Sequence, residues 1–114
     1  IEQVNQAIEQ GKFKSIAFLG LAYKPDASDL RESPAIHIIK DVMRSNPNIA
    51  HLLVEPHISN LPEALQNGKL VSIGEALEAA DLVVCLVAHS QFAENSDRIG
   101  ATNVIDTVGI VGKG

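Results

Sequence analysis

The chain has 114 residues, of which 46% are hydrophobic, and a formal net charge of -5. This length supports one domain with one core, and the composition is that of a soluble globular protein. The acidic balance argues against a nucleic-acid-binding protein, and no apolar run reaches the roughly 20 residues of a membrane span. A lone cysteine excludes an internal disulfide and fits a reducing compartment, so we expect a cytoplasmic protein.

The first predicted element is a helix that ends at Gly11. Apolar residues recur at helical spacing from Ile1 to Ile8, and glycine is a common helix stop. The chain begins with Ile1, and the pattern predicts that this residue lies inside a helix. We interpret residues 1–11 as the end of an inter-domain connecting helix and residues 12–114 as one domain of a longer enzyme.

Five short apolar runs bounded by turn residues predict strands, at 15–22, 51–56, 70–73, 81–88 and 103–108. Helical segments are predicted between them, from Pro34 to the turn at Pro47, at 61–68, at 74–81 and within 89–100. This alternation favours βαβ units, a parallel sheet and right-handed crossovers. We therefore predict a Rossmann-like three-layer α/β sandwich with an open sheet of about five strands in the order 3-2-1-4-5.

The loop after the first strand is the predicted site, because ligands of open α/β sheets bind beyond the carboxyl ends of the strands. Ser33 is a predicted N-cap for the helix at Pro34, whose free N–H groups favour an anion. Lys24 and Arg31 can add positive charge to such a site. Residue type alone favours neither this role nor that of ordinary solvent-exposed side chains. A dinucleotide loop uses three glycines, and this one has Gly20 alone, so we do not expect the domain to hold NAD by itself.

Other residues of functional type are weaker candidates for catalysis or ligand binding. Cys85 lies in an apolar run and is expected to be an unreactive core residue. His89 follows the fourth strand, where it is more often structural or exposed, and Glu55 ends the second strand without a predicted role. The remaining histidines lack metal-ligand spacing, so we predict no metal site: His37, His51 and His57.

The segment GLAYKPDASDLRESP, from Gly20 to Pro34, resembles a family signature. It fits the pattern G-L-A-[FY]-K-x-x-x-x-D-x-R-x-S-P of the C-terminal domain of the UDP-glucose/GDP-mannose dehydrogenase family. The segments LLVEPHISNLP and VAHSQF are most similar to its UDP-N-acetyl-D-mannosamine dehydrogenase branch. The family commonly carries a basic residue in the last strand's D-x-[RK]-G segment, where this chain has Val108.

This resemblance implies a function. Family enzymes oxidise the C6 alcohol of a nucleotide sugar in two NAD-dependent steps. An N-terminal domain binds NAD, and a central domain supplies the dimer contacts and a cysteine nucleophile. The matching positions imply Tyr23 and Lys24 as UDP-sugar-binding residues and Arg31 as the residue that reaches NAD. They imply no catalytic residue in this chain, which would be inactive alone.

The implied product is UDP-N-acetylmannosaminuronate, used in surface polysaccharide synthesis, and the complete enzyme would be a homodimer through its central domain. Three alternatives remain open at this point. The chain could belong to a UDP-glucose 6-dehydrogenase, could be a stand-alone nucleotide-binding regulatory module, or could be a structural domain that makes oligomer contacts.

Overall fold

The computed structural model describes residues 13–22, 33–56 and 58–108, apart from the side chain of residue 64. The helix predicted over 1–11 lies outside the described residues. The strands are β1 (Ser15–Leu19), β2 (Ala50–Val54), β3 (Lys69–Leu70), β4 (Leu82–Cys85) and β5 (Val104–Asp106). The helices are α1 (Pro34–Ser45), α2 (Ile73–Ala79), α3 (Ser90–Glu94) and α4 (Ser96–Gly100), with a 3₁₀ turn at Glu63–Leu65.

The five strands form one parallel sheet in the order β3-β2-β1-β4-β5, which confirms the predicted topology. Some boundaries were wrong. β1 ends at Leu19 because Gly20 turns the chain with a φ of +104°. β3 ends at Leu70 instead of reaching residue 73, since Ser72 already caps α2 by accepting a hydrogen bond from the Glu75 N–H.

Two helical predictions also differ in extent. The helix predicted over 61–68 is a three-residue 3₁₀ turn, and the segment 89–100 contains two short helices in place of one. α1 agrees with prediction, with Pro34 in its first turn and its end before Pro47. No helix in the described part of the chain is both long and apolar enough to cross a membrane.

The apolar run of β1 is explained by burial on both faces of the sheet. Ile16 and Phe18 pack into the layer that contains α1, whereas Ala17 and Leu19 pack into the layer that contains α2, α3 and α4. All four side chains are fully buried. A central strand of a parallel sheet has no solvent face, so it carries no polar alternation.

Candidate functional site

The carboxyl ends of three neighbouring strands meet at one edge of the sheet. Leu19 pairs with Val54 on one side and with Cys85 on the other. The Gly20 N–H donates to the Val54 carbonyl at 2.9 Å, and the Leu86 N–H donates to the Leu19 carbonyl at 3.0 Å. The segments that follow β1, β2 and β4 therefore leave the sheet from the same place, as the fold class predicts.

A buried carboxyl group joins these three segments. Oε1 of Glu55 accepts hydrogen bonds from the backbone N–H groups of Leu21, at 2.8 Å, and Ala22, at 3.0 Å. The same oxygen lies 2.9 Å from Nε2 of His89. We call these four residues the Glu55 junction. It fixes the backbone immediately before residue 23 to the segments after β2 and β4.

The imidazole of the Glu55 junction is held by packing as well as by hydrogen bonding. His89 is fully buried, and the ring of Phe92 meets it edge-on with centroids 5.3 Å apart. Glu55 is also buried, with 3% of its surface exposed. Both side chains are buried, and Oε1 of Glu55 already accepts from two backbone N–H groups while it contacts Nε2 of His89. This arrangement suits a positioning role better than proton transfer to a ligand.

Ser33 closes the other end of the same loop. It occupies the predicted N-cap position of α1, but its side chain makes no capping hydrogen bond. Its hydroxyl instead donates to the Leu21 carbonyl at 2.7 Å. Leu21 and Ser33, which lie on either side of the segment 23–32, are therefore bound to each other.

A small, mainly apolar pocket of about 210 Å³ lies beside this loop base, between the start of α1 and the segment after β4. It is lined by Ala22, Pro34, Ala35, Leu86, Val87, Ala88 and Val108. Such a surface can contact the face of a ring, while the free N–H groups of the first turn of α1 favour a neighbouring anion. Val108 is 38% exposed and contributes no charge to this pocket.

Gly20 and Glu55, the two described residues at positions that a Rossmann domain uses for a dinucleotide, are both engaged in contacts within the protein. A Cβ placed on Gly20 would lie 2.5 Å from Cβ of Val87, so Val87 packs against the side of Gly20 that lacks a side chain. Glu55, at the end of β2 where an acidic residue would bind a ribose hydroxyl, is instead engaged in the Glu55 junction.

Cys85 is a core residue, as predicted. Its side chain is fully buried within β4. Burial, reinforced by the nearby carboxylate of Asp106, raises the pKa of the thiol to about 12. A thiol that stays protonated near neutral pH is not a nucleophile.

The structure shows that the segments after β1 and β4 begin side by side, because Ala22 and His89 both contact Glu55, whereas residues 23–32 of the predicted loop lie outside the described residues. The three residues predicted to bind ligands, Tyr23, Lys24 and Arg31, lie outside the described residues. Sequence reasoning missed the roles of Glu55 and His89. The predicted strand order placed both residues near the site, because each follows a strand that neighbours β1, but it did not show that they are buried and in contact.

Residues 17–113 match the UDP-binding domain of the UDP-glucose/GDP-mannose dehydrogenase family. The chain is 43% identical over 111 residues to the NDP-N-acetyl-D-galactosaminuronic acid dehydrogenase of Ralstonia nicotianae, an alignment that covers 96% of this chain and 26% of that protein. It is 43% identical over 103 residues to the UDP-N-acetyl-D-mannosamine dehydrogenase of Campylobacter jejuni, covering 87% of this chain and 25% of that protein.

A solved structure of the UDP-N-acetyl-mannosamine dehydrogenase from S. aureus superposes with a TM-score of 0.72 at 26% identity, over 99% of this chain and 26% of that one. The chain thus spans about a quarter of the length of the curated relatives it matches. With its signature segment, its sheet order and these matches in agreement, the chain belongs to the UDP-glucose/GDP-mannose dehydrogenase family.

Proposed function

We propose that this chain binds the UDP portion of a nucleotide sugar, as the C-terminal domain of an NAD-dependent nucleotide-sugar 6-dehydrogenase. Residues 1–11 would be the end of a connecting helix, and residues 12–114 the UDP-sugar-binding domain. The observation that carries the proposal is the Glu55 junction. It anchors the base of the family's signature loop to the two neighbouring segments at the ligand-binding edge of the sheet.

The loop anchoring supports specific roles for the signature residues. Tyr23 directly follows Ala22, whose N–H is fixed by Glu55 and whose side chain lines the apolar pocket. We assign Tyr23 to the wall of that pocket and Lys24 to the diphosphate, where its charge adds to the field of the first turn of α1. Arg31, two residues before the anchored Ser33, would reach NAD and link binding of the cofactor to closure of the cleft.

The reaction oxidises a primary alcohol to a carboxylate. Each turnover takes R–CH₂OH, two NAD⁺ and one water to R–COO⁻, two NADH and three H⁺, and the cofactor accepts both hydrides. Because the first loop has one glycine and Glu55 is engaged in the Glu55 junction, NAD is assigned mainly to a part of the enzyme outside this chain. This chain contributes binding and orientation of the nucleotide sugar, and the complete enzyme is proposed to be a cytoplasmic homodimer.

The sugar is proposed to be an N-acetylated hexosamine. The names of the two relatives at 43% identity both contain an N-acetylated amino sugar, N-acetyl-D-galactosaminuronic acid in one and N-acetyl-D-mannosamine in the other. UDP-N-acetylmannosamine is our main candidate, with the uronate product used in surface polysaccharide synthesis. The Ralstonia relative favours UDP-N-acetylgalactosamine as a second candidate.

Calorimetric titration of the chain with UDP, UDP-N-acetylmannosamine and NAD, each separately, tests the binding role. We expect UDP and the UDP-sugar to bind, and NAD to bind more weakly than either. Lys24→Ala should weaken UDP binding about tenfold, since a charge-assisted hydrogen bond contributes roughly 1.5–3 kcal/mol. Lys69→Ala is the matched control, because Lys69 is an exposed lysine on β3 at the far edge of the sheet.

Steady-state kinetics of the complete enzyme test the chemistry. Arg31→Ala should raise the KM for NAD, and Lys24→Ala should raise the KM for the UDP-sugar, with UDP-N-acetylmannosamine preferred over UDP-N-acetylgalactosamine and UDP-glucose. Tighter binding of NAD than of UDP by the chain, or unchanged kinetics in both variants, would refute the proposed function.

A further inference from the structure

A second cleft lies away from the carboxyl edge of the sheet. We call that edge, where the nucleotide is proposed to bind, the nucleotide edge. Its volume is about 600 Å³, and it opens beside the last two turns of α1. It is lined by Lys40, Met43, Arg44, Pro47, Ile49, His51 and Asn67, and we call it the His51 cleft. His51 pairs with Ile16 near the amino end of the sheet, whereas the Glu55 junction follows the pair of Leu19 and Val54 at the carboxyl end.

His51 is an unusual residue for its position. It shares the α1 face of β2 with Leu53, and its ring stacks on Phe18 with centroids 6.4 Å apart. Only 7% of its surface is exposed, and its Nε2 atom has no hydrogen-bond partner within the described ranges 13–22, 33–56 and 58–108. Buried polar atoms normally have a partner, so an unpaired ring nitrogen in the lining of a cleft is a position at which a ligand can supply one.

The charges of the cleft indicate what kind of ligand fits. Lys40 and Arg44 are four residues apart on α1, so they share one helical face and both line the cleft. The contact between Arg44 and Asp41 is long, at 4.0 Å, and their side chains are 76% and 48% exposed. Such a surface pair is weak, so the guanidinium remains able to bind an anion. Two cations thus face this cleft in a chain whose net charge is -5.

We propose that the His51 cleft binds a phosphate-bearing small molecule at a site distinct from the nucleotide edge. Lys40, Arg44 and the Nε2–H of His51 would each donate to the phosphate, whose oxygens can accept from several directions. A phosphate group alone would leave most of the cleft unfilled, and pockets of 300–1,000 Å³ are of the size that holds whole metabolites. The proposal does not depend on the proposed function, because no residue of the Glu55 junction takes part.

The test uses the complete protein that carries this chain, labelled with ¹⁵N in its histidine rings. The His51 signal is assigned from its loss in His51→Phe, which keeps an aromatic ring against Phe18. Inorganic phosphate is titrated at constant ionic strength while the Nε2 resonance is followed. We expect a saturable shift towards the hydrogen-bonded, protonated form of that nitrogen. Since the signal is local, phosphate bound at the nucleotide edge does not register.

A charge-matched pair of double variants completes the test. Lys40→Ala with Arg44→Ala should weaken phosphate binding about tenfold or more, as expected for the loss of charge-assisted hydrogen bonds. Lys69→Ala with Arg98→Ala removes the same charges from exposed positions outside the cleft, and should change the affinity by no more than about twofold. These two results together support the proposal.

Three outcomes would overturn the proposal. One is an Nε2 resonance that does not respond to phosphate. Another is an equal loss of affinity in both double variants, which would indicate non-specific attraction. The third is a nitrogen already hydrogen-bonded without phosphate and insensitive to it, which would mean that another segment of the complete protein occupies the cleft.

Discussion

Replacing Glu55 with alanine removes the oxygen on which the Glu55 junction depends. That oxygen lies 2.8 Å from the Leu21 nitrogen, 3.0 Å from the Ala22 nitrogen and 2.9 Å from Nε2 of His89. Since Glu55 and His89 are buried, water does not replace the lost acceptor. A buried polar group left without its partner costs about 1–3 kcal/mol, and Glu55→Ala leaves more than one such group, so we expect the free energy of unfolding to fall by about 4 kcal/mol.

Urea denaturation followed by circular dichroism measures this loss as a lower midpoint at an unchanged slope. Glu55→Gln keeps a carbonyl oxygen that can accept from both backbone N–H groups, and should cost only about 1–2 kcal/mol. Glu78→Ala is the control, because Glu78 is exposed on α2 and its loss should change stability by less than about 0.5 kcal/mol. If Glu55→Ala costs no more than Glu78→Ala, the junction does not hold the loop base.

Three further predictions follow from the packing of the sheet. Gly20→Ala should lower the free energy of unfolding by about 3 kcal/mol in the same urea assay, because φ is +104° and the new Cβ would lie 2.5 Å from Cβ of Val87. Gly74→Ala is the control. A Cβ at Gly74 would meet nothing within 4 Å, so this variant should raise the free energy of unfolding by about 0.5–1 kcal/mol. Cys85 should react with a thiol reagent at pH 8 only after denaturant is added, because its pKa of about 12 keeps it protonated and burial excludes the reagent; equal reactivity without denaturant would contradict this. Burial lowers the pKa of His51 below 6.5, so the unfolded chain binds a proton that the folded chain does not. The contribution of neutral His51 to the free energy of unfolding should therefore be fully present above pH 6.5 and should decrease as the pH falls towards the pKa of the folded state. His51→Phe should remove this part of the pH dependence.

The fold could be predicted because its signals are local and repeated. Each strand is a short apolar run bounded by turn residues, and the handedness of crossovers leaves few ways to order five parallel strands. The ends of the strands were predicted less accurately than their order, because tertiary hydrogen bonds decide where a strand ends. The third strand is an example, since Ser72 could have continued it but accepts from Glu75 and begins a helix instead.

The site was only partly predictable, for a different reason. The position of the site follows from the strand order, and the signature residues follow from a family pattern. The Glu55 junction depends on contacts between residues 34 positions apart, which no local pattern records. Glu55 and His89 are polar residues at strand ends, where most polar residues are exposed, so burial had to be seen in the structure before a role could be assigned.

Gly20 has a structural role that differs from that of the glycines in a dinucleotide loop. In a dinucleotide loop the glycines let the backbone approach a pyrophosphate. Here the open side of Gly20 is occupied by Val87, and its N–H donates to the Val54 carbonyl. The glycine therefore allows close packing of the segments after β1 and β4, and it turns the chain so that Leu21 and Ala22 can donate to Glu55.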